Sequence, residues 1–152
     1  MGNLYPGMDP PAPAGAEGAR ITGRTDAPDS PGPFVMSCET LAGDSVVNRD
    51  GDDLGTLEHV MIDVPSGRIA YGVLARGGVF GIGAKLFAIP WSALTLDADR
   101  KCFVIDIEKS RLDAAPGFDK DHWPAMADRD WANGIHDYYG VRPYWTGRAR
   151  MQ

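Results

Sequence analysis

The sequence predicts a mainly β fold, a small barrel or sandwich of about six short strands followed by a short helical extension. Residues 57–64 and 68–75 alternate between apolar and polar and flank a Pro-Ser-Gly turn, which is the pattern of a β-hairpin. Other short strand patterns are separated by tight turns. The sequence shows no regular succession of β and α units, which argues against a doubly wound fold.

Composition restricts the classes of partner. The chain has 152 residues, 43% of them hydrophobic, and a formal net charge of −6, so we expect one soluble globular domain that does not bind nucleic acid. No apolar run approaches the ~20 residues that a transmembrane helix needs. The first residues have neither a basic nor an apolar region typical of a secretion signal, so we predict a cytoplasmic protein.

The N-terminal third divides into an arm and the start of the domain. Residues 1–33 are rich in Pro, Gly and Ala and lack apolar periodicity, which predicts a disordered arm. Order is expected to begin near residues 34–41, with a first strand at 45–48. The acidic run at 49–53 lies between two predicted strands, so a solvated β-turn is favoured over a calcium loop, which requires flanking helices.

The hairpin pattern predicts which side chains face the core. Every second residue of each strand is predicted to face the core. These residues are Val60, Ile62 and Val64 on the first strand, and Ile69, Tyr71 and Val73 on the second.

A glycine-rich loop follows at residues 77–83. Phosphate-binding loops precede a helix, whereas the next segment, 85–90, is predicted as a strand, and the glycine spacing matches no nucleotide motif. We interpret the loop as a structural or interaction element. Phe80 and Ile82 are large apolar residues in it and are candidate contact residues for a protein partner.

Two more strands, at 91–96 and 101–107, complete the predicted domain at residues 34–115, which ends with a short helix capped by Ser110. Residues 116–146 are predicted to form a helical extension, and 147–152 a flexible tail. The extension contains a helix capped by Asp128 and ended by Gly140. Its apolar stripe consists of Trp131, Ile135, Tyr138 and Tyr139. With Trp145, this aromatic density predicts packing on the barrel or on a partner.

Several segments together resemble the PRC-barrel family, named after the cytoplasmic domain of the photosynthetic reaction-centre H subunit and shared with a ribosome maturation factor. The similar segments are DLGTL at 53–57, GRIAYGVL at 67–74, the glycine loop, KLFAIPW at 85–91 and residues 112–118. The tail from 119 to 145 resembles an extension of stand-alone bacterial members. The resemblance implies a six-stranded antiparallel PRC-type β-barrel that is used for protein–protein contact.

The three histidines, His59, His122 and His136, lack the spacing of a zinc motif. A composite site that combines His59 and His122 with Asp63 and Asp128 stays open at this level. Scattered polar residues of this kind are more often surface groups.

Nucleophile motifs are also missing from the sequence. Cys38 and Cys102 are far apart and are predicted to be buried or part-buried thiols that do not pair, and no GxSxG segment occurs. We therefore predict no catalytic residue, no cofactor and no metal ligand, and expect a protein that is not an enzyme.

The leading hypothesis is a non-enzymatic interaction, scaffold or adaptor module that binds a protein partner or another copy of itself. Its candidate contact residues are Phe80, Ile82, Tyr138, Tyr139 and Trp145. One alternative is a small-molecule or metal-binding stress or redox sensor that uses a pocket between barrel and tail. Another is an accessory subunit of an electron-transfer or photosynthetic complex.

Overall fold

The structure is a computed structural model and describes residues 18–26, 29, 32–78 and 82–146. In these ranges the strands are β1 (Arg20–Thr22), β2 (Ser45–Val47), β3 (Asp53–Asp63), β4 (Arg68–Arg76), β5 (Lys85–Pro90), β6 (Leu94–Asp97) and β7 (Cys102–Ile105). The helices are α1 (Cys38–Leu41), α2 (Lys109–Asp113) and α3 (Arg129–Tyr139), and a 3-10 helix spans Trp91–Ala93. The protein is mainly β, as predicted.

All seven strands form one mixed sheet in the order β1-β6-β7-β2-β3-β4-β5. The β1–β6 and β2–β7 pairs are parallel, and the other pairs are antiparallel. The two end strands of this described sheet do not pair, so it is open. The predicted six-stranded antiparallel barrel is therefore wrong in strand number, direction and closure. Both parallel pairs join segments distant in sequence, which local alternation does not reveal.

The sheet is curled. Only the 3-10 helix connects β5, at one end of the sheet, with β6, which lies next to the other end. This 3-10 helix occupies the first half of the segment predicted as a strand at 91–96. The main core lies where the sheet curls over itself, with Leu57, Leu74, Phe87 and Phe103 at most 1% exposed.

The predicted N-terminal arm contains an ordered strand. Ile21 of β1 packs against the main core and pairs with Leu96. The pattern of β1, one apolar residue between two exposed polar residues, is too short to predict a strand from the sequence. Residues 1–17 of the arm and the predicted tail at 147–152 lie outside the described residues.

The hairpin of β3 and β4 is present, but the predicted alternation fails in β3. Tyr71 and Val73 are buried, but Tyr71 lies in a second cluster beneath the C-terminal tail and not in the main core. Ile62 is 57% exposed, and Val64, just beyond the strand, is 80% exposed. The β3–β4 register shifts twice, once between Met61 and Ile62. Each register shift changes which residues along the strand point toward the core, so Ile62 and Val64 no longer lie on the core face.

The three helices have different caps. The Asp128 carboxylate accepts hydrogen bonds from the first turn of α3, and Gly140 ends this helix in the left-handed conformation with a φ of 71°, as predicted. Helix α2 begins two residues earlier than expected, since Glu108 and not Ser110 occupies its N-cap, without a side-chain hydrogen bond. No helix in the described ranges has both the length and the apolar character to span a bilayer.

Candidate interaction surface

The C-terminal tail packs on the outer face of β4 and β5. Ile135, at 2% exposed, joins Ala70, Tyr71 and Ala88 in a second core cluster. Tyr71 lies edge-on to Trp131, with ring centroids 5.4 Å apart. The apolar stripe of α3 thus packs within the chain, with Ile135 buried and Trp131, Tyr138 and Tyr139 partly buried.

Polar contacts fix the end of the tail to the tip of the β3–β4 hairpin. The Tyr144 hydroxyl donates a hydrogen bond of 2.7 Å to the Asp63 carboxylate, and the Arg68 guanidinium donates to the Tyr144 carbonyl. The hydrogen bond from Tyr144 holds the pKa of Asp63 below its usual value. A tyrosine and a backbone carbonyl thereby hold residues 143–146 at a defined position against the hairpin.

Trp145 completes an aromatic cluster at this end. Its ring lies 5.4 Å from that of the buried His136, and the guanidinium of Arg129 sits 3.9 Å above it. The His136 ring contributes a short contact of 2.7 Å from Nδ1 to the Ala132 carbonyl. Trp145 is therefore held rigidly while part of it stays accessible.

Beside Trp145 the tail and the hairpin tip enclose an apolar groove of about 480 Å³. Its lining includes Ile62, Val64, Pro65, Met126 and Trp145, which we call the hairpin-tip surface. Ile62 and Val64 are among the most exposed large apolar side chains described. An exposed apolar patch next to an apolar groove is characteristic of a protein-binding surface.

The predicted contact residues do not form one site. Phe80 lies outside the described residues, and Ile82 is 74% exposed in the loop between β4 and β5. Trp145 lies at the opposite end of β4, about 25 Å away along the strand at ~3.3 Å per residue.

Tyr138 and Tyr139 make their contacts within the chain. The Tyr138 hydroxyl donates to the Arg111 carbonyl at 2.6 Å, and the Arg111 guanidinium covers its ring at 4.3 Å. Tyr139 packs against both core clusters. Of the predicted contact residues described, Ile82 is the most exposed, and Trp145 is the one that borders the hairpin-tip groove. Tyr138 and Tyr139 are partly buried and line a different cavity.

The histidines and the carboxylate Asp63 considered for a composite site make their contacts with other residues. His59 contacts Trp123, His122 contacts the Asp119 carboxylate at 2.7 Å, and Asp63 contacts Tyr144. Among the residues that the structure describes, no three His, Cys, Asp or Glu side chains are placed to share a metal ion. Both cysteines are unpaired, and Cys102 is buried as predicted. The predicted burial is wrong for Cys38, which lies exposed at the start of the short helix α1.

The sequence pattern does not predict the most exposed part of the hairpin-tip surface. Alternation assigned Ile62 and Val64 to the core. The Pro-Ser-Gly turn directly after Val64 was the available signal, because residues at a hairpin tip extend beyond the core that covers the strand centres.

Fold and surface together define a mainly β domain with a docked helical tail and an apolar hairpin tip. A family model, the PRC-barrel domain, matches residues 35–112, and the chain belongs to this family. The match contains β2 to β7 and ends within α2, so the tail and β1 lie outside it. No curated protein matches the chain.

Proposed function

We propose that this protein is a non-enzymatic interaction module that binds a second copy of itself through the hairpin-tip surface. The observation that carries the proposal is the 80% exposure of Val64 beside a groove bordered by Met126 and Trp145. A protruding apolar side chain and an apolar groove lie within the same patch. This arrangement suits a two-fold interface, in which each copy inserts its knob into the groove of the other.

Rigidity of the surface supports the same proposal. Asp63, Tyr144 and Arg68 tie the tail to the hairpin before any partner arrives, so little conformational entropy is lost on binding. Trp145 and Arg129 provide an aromatic and an arginine, the residue types that contribute most at interfaces. The proposal includes a cytoplasmic location and places no catalytic group at the surface.

The test is the molar mass in solution as a function of concentration, measured by analytical ultracentrifugation. We expect a species of twice the 16.4 kDa chain mass. Val64→Asp should weaken the dimer by about tenfold or more, because a charged side chain would lose its hydration on entering a mainly apolar groove. Ile82→Asp is the matched control, since Ile82 is similarly exposed at the other end of β4.

Three results would contradict the proposal. A wild-type monomer at high concentration would rule out the second copy as the partner. A dimer broken by Ile82→Asp and not by Val64→Asp would move the interface to the glycine loop. A dimer that neither Val64→Asp nor Ile82→Asp weakens would place the interface elsewhere on the protein.

A further inference from the structure

A second cavity lies between the sheet and the tail, away from the hairpin tip. Its volume is about 710 Å³, within the range of small-molecule sites. Arg20, Thr95 and Val104 are neighbours across β1, β6 and β7 and all three line it. The adjacent Ile21, Leu94 and Leu96 pack in the main core, so this row belongs to the opposite face of the sheet. We call the cavity the tail cleft.

The other wall of the tail cleft is formed by the end of α3 and by α2. Tyr138, Tyr139 and Val141 line it from the tail, and Arg111 lines it from α2. Arg111 is fixed in place, because its guanidinium donates to the Tyr138 carbonyl at 2.9 Å while the Tyr138 hydroxyl donates back to the Arg111 carbonyl. This contact also offsets the negative end of the α3 dipole.

Charge in the tail cleft opposes that of the whole chain. Arg20, Arg49 and Arg111 face two carboxylates, Asp106 and Glu108, on a protein whose net charge is −6. Arg49 lies 3.6 Å from Asp106 in an exposed pair, which is weak and can open. The Arg20 side chain, unlike its backbone, has no hydrogen-bond or ion-pair partner among the described residues. The cleft therefore keeps an excess of one positive charge.

Tyr139 offers an additional polar group. Its hydroxyl is buried and has no partner among the described residues, and burial raises its pKa, so it stays a hydrogen-bond donor at neutral pH. A buried hydroxyl without a partner is uncommon in folded proteins. Ala93, Val104, Ile107 and Val141 contribute apolar side chains to the lining.

We propose that the tail cleft binds a small organic monocarboxylate whose carboxylate is held by arginines and whose apolar body lies between the sheet and α3. Guanidinium groups bind carboxylates with charge-assisted hydrogen bonds. The apolar wall gives the carbon chain a place out of water. Glu108 and Asp106 limit the positive excess, which favours a single negative charge over two.

The test uses four small molecules that separate the contribution of the ligand's charge to binding from that of its apolar body. Calorimetric titration of the full chain with octanoate should show binding. Octanol has the same body without charge, octylammonium reverses the charge, and acetate lacks the body. We expect each of these three to bind at least about tenfold more weakly than octanoate.

Two variants locate the site. Arg20→Gln should lower the affinity for octanoate by about tenfold. It should not lower the thermal stability, because the Arg20 side chain has no partner to lose. Arg24→Gln is the matched control, an exposed arginine on the same segment, and should leave the affinity unchanged. Tyr139→Phe removes only the buried hydroxyl. It should lower the affinity for octanoate, while the stability of the unliganded protein stays the same or increases.

Equal binding of octanol and octanoate would overturn the proposal, as would no binding of octanoate at millimolar concentration. Equal loss of affinity in the Arg20 and Arg24 variants would also overturn it, because the effect would then be one of overall charge. These outcomes are independent of dimerisation, which is tested at Val64.

Discussion

Ile135→Ala tests whether the tail is an integral part of the domain. Ile135 is 2% exposed and contacts the cluster of Ala70, Tyr71 and Ala88 on the sheet. The substitution removes three carbon atoms, worth about 2.4 kcal/mol at ~0.8 kcal/mol per buried methylene. The cavity that remains adds to this loss, so we expect a decrease of about 3 to 4 kcal/mol in the free energy of unfolding.

Urea denaturation followed by tryptophan fluorescence and by far-ultraviolet circular dichroism measures this loss. Because α3 shares a core with β4 and β5, both probes should shift together, by roughly 2 M urea. Asn133→Ala, on the exposed side of the same helix, is the control and should change the stability by less than about 0.5 kcal/mol.

Two results would refute this reasoning. A loss below about 1 kcal/mol would mean that Ile135 is not in a packed core. A fluorescence transition that moves while the dichroism transition stays would show that the tail unfolds separately from the sheet.

Four further predictions concern single positions. Gly134→Ala should raise the free energy of unfolding by about 0.5 to 1 kcal/mol, since no atom lies within 4 Å of the added Cβ. Gly55→Ala should lower it by more than about 3 kcal/mol, because the Cβ would lie 2.2 Å from the Ala75 oxygen at a φ of +138°; equal melting temperatures would contradict both. Burial holds the pKa of His136 below 6.5, so the unfolded chain takes up a proton there first as the pH falls. Stability should therefore decline below about pH 6.5, by up to about 1 kcal/mol near pH 5.5, and His136→Asn should reduce this slope in thermal melts. Burial raises the pKa of Cys102, so a thiol reagent should modify only Cys38 in the native protein, and rapid labelling of both would contradict the buried position.

Much of the fold was predictable because its strands carry local signals. The hairpin, the strand at 85–90 and the cap residues of α3 all follow from patterns within about ten residues, and the structure has each of them. The parallel pairs β1–β6 and β2–β7 were not predictable. Their partners lie far apart in the chain, and pairing direction leaves no trace in alternation alone.

The candidate surface was less predictable than the fold. Its aromatic character marks Trp145 as a contact residue, and Trp145 lies at the groove. A strict period of two predicts Val64 in the core, because the sequence does not reveal the register shift that precedes it. The tail cleft depends on the approach of Arg20 and Arg111, which come from opposite ends of the sequence. Such juxtapositions require the three-dimensional structure.

The parallel pairing of β2 with β7 has a consequence for biosynthesis. The Asn48 side chain donates to the carbonyl of Ile107, 59 residues further along the chain, and Phe103 and Ile105 belong to the main core. Until β7 has left the ribosome, β2 exposes one unpaired edge and the core lacks two of its large side chains. The nascent chain therefore acquires its stability late and nearly at once, and a chain shortened before β7 should aggregate instead of folding in part.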